Sequence, residues 1–286
     1  MSELFEKPWL FEPVLRRASA ALKGRTDVDF SQAEKRLVAE IMFHVYRGKH
    51  DYQPMVDFFL FAIANKARST ANIAQDSWVL HMTKNKRAGY FVEFGATDGR
   101  VMSNTFVLEK DYGWSGILAE PNVEWHEGLA KNRQCHIAYE CITDRSGETV
   151  SFDCTELPIY ARISGTATGV HDGREVKRQI EVPTLTLNDL LDRYEAPDHI
   201  DYISVDTEGS EFMILDAFDF SKRRIDFFTI EHAHDKRKRE AIKSLMEANG
   251  FVRWYPEATR YDDWYVNKDL ADTEGETDDA AEAKDA

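Results

Sequence analysis

Apolar positions in this chain follow two different periods. Up to about residue 84 they recur at helical spacing. Leu37, Ile41 and Val45 mark one face of a helix expected over 32–47, with Asp29 or Ser31 as its cap. Met55, Phe58, Phe59, Ala62 and Ile63 form an apolar stripe on a second helix over 51–66, and a third is expected over about 72–84. This stripe reads as core or as a dimer contact. From Tyr90 onward short apolar runs alternate with helical stretches, the signature of a mainly parallel sheet. Strands are expected at 90–94, 116–120, about 135–141, 201–205 and 227–231. Helices are expected from Ser103, near 122–131 and over 236–248, the last closed by Asn249-Gly250. Residues 251–255 and 263–267 should form an antiparallel closing pair, and 148–154 a hairpin excursion. Residues 155–178 are irregular and polar, and loops of that length usually act, so they are a candidate lid.

The ends of these strands carry the chemistry. The first strand runs into Gly95-Ala96-Thr97-Asp98-Gly99, and the second ends at Glu120. That carboxylate lies about 20 residues beyond the last glycine, the spacing of α/β nucleotide sites. Gly95 and Gly99 let backbone approach a ligand, and Glu120 can accept hydrogen bonds from both hydroxyls of a ribose. The glycine pattern is Gly-x-x-x-Gly, which lacks the tighter spacing that a dinucleotide needs. Glu93 sits just before the turn and Asp98 inside it, and the two would repel a pyrophosphate. They suit a ligand with an ammonium and a sulfonium, which describes S-adenosylmethionine.

These stretches resemble the FkbM-type S-adenosylmethionine-dependent methyltransferases. The resemblance rests on Gln75-Asp76, on 89–99, on Ser103-Asn104-Thr105, and on 113–122 with Glu120-Pro121-Asn122. It continues through 182–187 and through 200–211, which contains Asp206-Thr207-Glu208-Gly209-Ser210-Glu211. It covers about residues 72–267. It implies an α/β class I methyltransferase (Rossmann-like) fold, with a seven-stranded, mostly parallel sheet behind an N-terminal helical extension (1–71). An acidic tail (269–286) should follow and be disordered. The implied activity is O-methylation of a hydroxyl on a carbohydrate or secondary metabolite. The residues expected at the cofactor are Glu93, Gly95, Thr97, Asp98, Gly99, Asn104, Thr105, Glu120, Pro121, Asn122 and Asp206. By the same resemblance Thr143 and Asp144 should meet the adenine edge, although Asp144-Arg-Ser-Gly147 is also good turn chemistry.

Catalysis is expected from the ends of the fourth and fifth strands. His232 is the leading general base, because a neutral imidazole accepts a proton near pH 7. Asp206 is the second candidate and should also lie near the charged end of the cofactor. Some O-methyltransferases place metal ligands at such strand ends. A divalent cation of magnesium type could therefore bridge Asp206, Glu231 and a histidine.

Charge and composition narrow the partners. The net charge is −15, and residues 269–286 carry eight acids and one lysine. The remainder is still acidic and holds no basic stripe, which argues against a nucleic-acid substrate. Cys135, Cys141 and Cys154 show no metal-like spacing and should be reduced thiols in a cytosol. No apolar run spans a membrane, and the first residues carry acids where a signal peptide has bases. The N-terminal helices could support a homo-oligomer. The rival readings are a nicotinamide-dependent dehydrogenase, disfavoured by its missing fingerprint, and a catalytically silent scaffold of the same fold.

Overall fold

The structure is a computed structural model that describes residues 53–166, 175–233, 235–256, 259 and 261–271. The helix expected over 32–47, the centre of the candidate lid, His234 and the acidic tail beyond residue 271 lie outside the described residues.

Two compact units divide the chain. One takes the residues up to Ser69 together with Asp76–Asn85. Its described part holds α1 (Gln53–Asn65) and all but the first residue of α2 (Gln75–Met82). Met55, Phe58 and Ala62 of the apolar stripe are buried. Phe58 and Phe61 meet the ring of His81 with centroids 5.8 and 5.5 Å apart. The stripe is therefore largely core.

The second unit comprises Thr70–Gln75 and the chain from Lys86 onward. Its main sheet has seven strands. In chain order they are β1 (Tyr90–Phe94), β2 (Ser115–Ala119), β3 (His136–Ala138), β8 (His199–Val205), β9 (Arg224–Glu231), β10 (Phe251–Trp254) and β11 (Asp262–Asn267). Their spatial order is β10-β11-β9-β8-β1-β2-β3, and only β11 runs antiparallel to its neighbours. Between them run α3 (Phe106–Tyr112), α4 (His126–Asn132), α5 (Leu187–Arg193), α6 (Glu211–Asp216) and α7 (Lys236–Ala248). Asp235 caps α7 by accepting from the Arg237 and Lys238 amides. The strands are buried on both faces, with Val92, Ile117, Ile203 and Phe228 fully enclosed. Such strands read as short continuous apolar runs, which is why their positions were legible.

A second sheet was not expected. β4 (Cys141–Thr143), β5 (Thr149–Thr155), β6 (Arg162–Ile163) and β7 (Val176–Thr186) pair in the order β4-β7-β5-β6. The stretch read as one strand over 135–141 is in fact two. β3 ends at Ala138 and the chain leaves the main sheet through Tyr139-Glu140. The candidate lid is likewise not one irregular loop. It contains the end of β5, a 3₁₀ turn at Pro158–Tyr160, β6 and the start of β7. The first six residues of β7 include no buried side chain, so no apolar alternation marks them as strand.

The order of the main sheet reverses between β1 and β8, so their carboxyl ends open a crevice. Gly95 closes β1 there with φ +70°, and a Cβ on it would lie 2.0 Å from the Asp206 carbonyl oxygen. Gly113 has the same φ, +70°, but a Cβ on it would meet nothing within 4 Å. Gly113→Ala should therefore cost only the left-handed backbone penalty, about 1–2 kcal/mol. Gly95→Ala should cost about 2–5 kcal/mol, because the clash adds to that penalty. Urea denaturation of both variants checks the difference, and equal losses would show that the crevice relaxes freely.

Candidate active site

A cavity of about 540 Å³ lies at this crevice, wholly within the second unit. That size suits a cofactor-sized ligand. Glu120 and Pro121, after β2, lie on one side, Asp206, Glu208, Glu231 and Asp262, at β8, β9 and β11, on the other, and Gly95 and Thr97, after β1, between them. Asn104, Trp125, Tyr160 and Tyr261 also contribute to the wall.

Glu120 is held by the backbone. Its two carboxylate oxygens accept from the amides of Thr97 and Asn122, each at 2.8 Å. Burial pushes its carboxyl up to about 7, against these two hydrogen bonds, with a smaller push from Glu93. Asn122 is a supporting residue, outside the wall. Its side chain accepts from the Glu124 amide and donates to the Pro158 carbonyl at 3.3 Å. The 3₁₀ turn over the cavity is thereby tied to the Glu120 strand end.

Several residues expected at the cofactor lie outside the cavity wall and build the glycine turn beside it. Glu93 does not line the cavity. It is buried and accepts from the Ser103 hydroxyl, the Asn104 amide and the Thr105 hydroxyl. Burial holds its carboxyl above the usual range, opposed by Arg133 and these donors. Asp98 folds back to accept from the Arg100 and Val101 amides at 2.9 and 2.7 Å. Gly99 backs onto Arg133 and Leu129, where a Cβ would collide. Thr105 sits under the loop, between Glu93 and Arg133. Arg133 was not singled out from the sequence, since one arginine in a helical stretch carries no signal. It donates to Glu109, to the Gly99 carbonyl, to Ser103 and to Thr105 while almost fully buried.

The expected adenine contacts also shift. Thr143 closes a turn on the Arg145 carbonyl, and Asp144 faces Arg145 at 3.7 Å with its side chain 43 % exposed. Neither residue reaches the wall. Glu140, Cys141 and Ile142 do, because the chain changes sheets there. Burial pushes the Cys141 thiol up to about 12, so it is a neutral wall group.

At the far end, Glu211 turns away from the cavity. Its carboxylate accepts from the Thr207 and Gly209 amides, both at 3.0 Å, and from Lys238 at 2.6 Å. This shapes the turn that carries Asp206 and Glu208. Asp206 is exposed to the cavity, but desolvation by the enclosing walls, Glu208 and Asp262 hold its carboxyl above the usual range, and Lys238 opposes them. Burial and Asp206 do the same to Glu231. His232, the expected base, is not in the wall. Its amide bonds the Tyr261 carbonyl, the chain turns at Ala233 with φ +49°, and the buried ring lies 4.0 Å from Asp263. The ring serves the backing of the wall, since one residue of register separates Glu231 from His232.

The Methyltransferase FkbM domain matches residues 93–253, more than half of the chain. The chain belongs to the FkbM methyltransferase family. With that sheet order, its fold is the class I methyltransferase fold. A precorrin-6y C5,15-methyltransferase from Geobacter metallireducens is similar in structure, with 9% identity and a TM-score of 0.36 over 67% of this chain and 84% of that one. A putative RNA methyltransferase from Pyrococcus horikoshii gives 10% identity and a TM-score of 0.36 over 68% and 83%. The N-terminal domain of human METTL16 in complex with SAH gives 10% and 0.35 over 77% and 83%. No curated protein matches the sequence. Among the described residues, no helix is long and apolar enough to cross a membrane.

Glu120 gives this FkbM-family site a pH signature. Its carboxyl, raised to about 7 without ligand, is ionised only above that value. Hydroxyls bond best to the ionised form, so under the placement proposed below, with a ribose at Glu120, binding should release a proton below pH 7. Affinity for S-adenosylmethionine should therefore fall about tenfold per pH unit below 7 and level off above it. Calorimetry between pH 5.5 and 8.5 in Glu120→Gln should show this dependence removed.

Proposed function

We propose that this chain transfers the methyl group of S-adenosylmethionine to a hydroxyl of a carbohydrate or similar hydroxylated metabolite. The observation that carries the reading is one cavity with two unlike ends. Glu120, fixed by two amides, is suited to a ribose. The carboxylates of Asp206, Glu208 and Glu231 stand at the other end, at the tips of β8 and β9. Trp125, Tyr160 and Tyr261, all half-buried, belong to the same wall, a surface that fits a sugar ring edged with hydroxyls.

In this reading the adenosine lies along Glu120, Pro121 and Ile142, and the sulfonium faces Gly95 and Asp206. The acceptor oxygen attacks the methyl carbon in line with the departing sulfur. The carbon–sulfur bond breaks, the sulfonium becomes a neutral thioether, and the hydroxyl proton leaves to water. The methyl is already activated, so alignment is the chief contribution of the protein, worth up to about 7–11 kcal/mol. Asp206 positions and polarises the acceptor hydroxyl. His232, behind the wall, supports Asp263 and the β9–β11 edge.

Glu120→Gln should weaken S-adenosylmethionine binding by about 1.5–3 kcal/mol, the worth of hydrogen bonds to a charged group. Asp206→Asn should lower kcat by about 10²-fold or more, with a smaller loss of cofactor affinity than Glu120→Gln. Radiolabelled methyl transfer to a panel of sugar nucleotides and glycans, with calorimetry alongside, tests both. Cofactor binding without transfer to any hydroxylated acceptor would favour a silent scaffold of this fold. Unchanged affinity in folded Glu120→Gln would overturn the placement of the ribose.

A further inference from the structure

We infer that Asp206, Glu208 and Glu231 form a binding site for one divalent cation of the hard, oxygen-preferring kind, magnesium or manganese. One carboxylate oxygen from each residue lies within 4.8 Å of the other two. Glu231 is only 8 % exposed, yet its Oε2 has no hydrogen-bond partner among the described residues. The residue also lines the cavity. A buried carboxylate oxygen left in that state is costly unless something positive meets it.

The surrounding charges make the same demand. Asp206, Glu208, Glu211, Glu231 and Asp262 act electrostatically on this one region. Lys238 is the cation that opposes them, and Glu211 already holds it at 2.6 Å. Asp262 is met by the Gln75 amide at 2.7 Å, which brings no charge. The one lysine charge is thus shared among Glu211, Glu231 and Asp206.

A second acidic cluster shows what a neutralised group looks like in the same unit. His199, Asp201 and Asp226 also gather within 4.8 Å, at the opposite end of β8 and β9. There Lys86 meets Asp201 at 2.5 Å and the Tyr90 amide adds a second bond at 2.8 Å. Arg224 and His199 meet Asp226 at 3.0 and 2.7 Å. Those carboxylates are satisfied by the protein itself. In the cavity, Glu231 keeps a buried oxygen that is not.

Three carboxylate donors and no sulfur or ring nitrogen select magnesium, manganese or calcium over zinc. A six-coordinate cation so held would keep about three positions for water or for hydroxyls entering the cavity. Toward the acceptor, the inference rests on the methyl-transfer reading. There the cation would hold the attacking hydroxyl and ease its deprotonation, which an imidazole outside the wall does not do. As a binding site it stands without that reading.

The test is an electron paramagnetic resonance titration of the chelator-treated full chain with manganese, with no cofactor or acceptor present. The acidic residues 269–286 offer weak sites of their own, so variants rather than stoichiometry decide the outcome. Manganese should bind and be displaced by magnesium. Glu231→Gln and Glu208→Gln should each lower affinity by at least about tenfold, as loss of a ligand must cost no less than loss of its support. Circular dichroism identifies a variant that fails to fold, and the other then carries the comparison. Absent manganese binding, or binding unchanged in a folded variant, would overturn the site. Calorimetry with S-adenosylmethionine on the same samples separates the two ideas. Cofactor bound without manganese removes the cation alone, whereas manganese bound without cofactor keeps the cation and removes the methyl-transfer reading.

Discussion

The Glu120 side of the cavity depends on one buried carboxylate. Glu93 stands one residue before the end of β1 and cannot reach solvent. A carboxylate there must be surrounded by donors. The chain supplies them by folding residues 103–105 back over the strand end, and Arg133 of the α4 terminus closes the group from below at 3.7 Å. The same guanidinium bonds the Gly99 carbonyl. Burial of Glu93 thereby fixes the turn from Gly95 to Gly99, the start of α3 and the end of α4 relative to β1. Glu120 can then be oriented by the Thr97 amide, because that turn has no freedom left.

The two ends of the cavity are built on opposite principles. At the Glu120 end each carboxylate oxygen has a backbone donor, so the group is held in one orientation and is chemically quiet. At the Asp206 end several carboxylates share the charge of Lys238. Glu211 holds that lysine, and its bonds to two amides and Lys238 fix the turn that presents the others. A lysine held in this way shapes the loop first and offsets the other acids only in part. Perturbed carboxylates gathered in a cleft mark functional sites for this reason.

The second sheet closes the cavity from above the crevice. β5 and β7 form an antiparallel pair, and the 3₁₀ turn between β5 and β6 brings Pro158, Ile159 and Tyr160 over the Glu120 end. Asn122 ties that turn to the main sheet through the Pro158 carbonyl. One wall of the cavity is thus supplied by an insertion with a small apolar cluster of its own, Cys141, Phe152, Cys154 and Val182.

The sequence alone determined the main sheet and the place of Glu120 and the glycine turn at its strand ends. Continuous apolar runs place β1, β2, β8 and β9, since a strand buried on both faces leaves no other reading. The glycines and Glu120 are legible because they act through local backbone geometry and a fixed strand-end position. What lies across the fold was not legible. Arg133 acts on residues some 30 positions away, Asp262 joins Glu231 only through antiparallel pairing of β11 with β9, and Glu208 reaches the cavity through a turn with φ +58°. His232 carried the right chemistry in the sequence and the wrong register in space. The alternation of side chains past the end of β9 sends Glu231 into the cavity and leaves the imidazole behind its wall, which only the tertiary structure could decide.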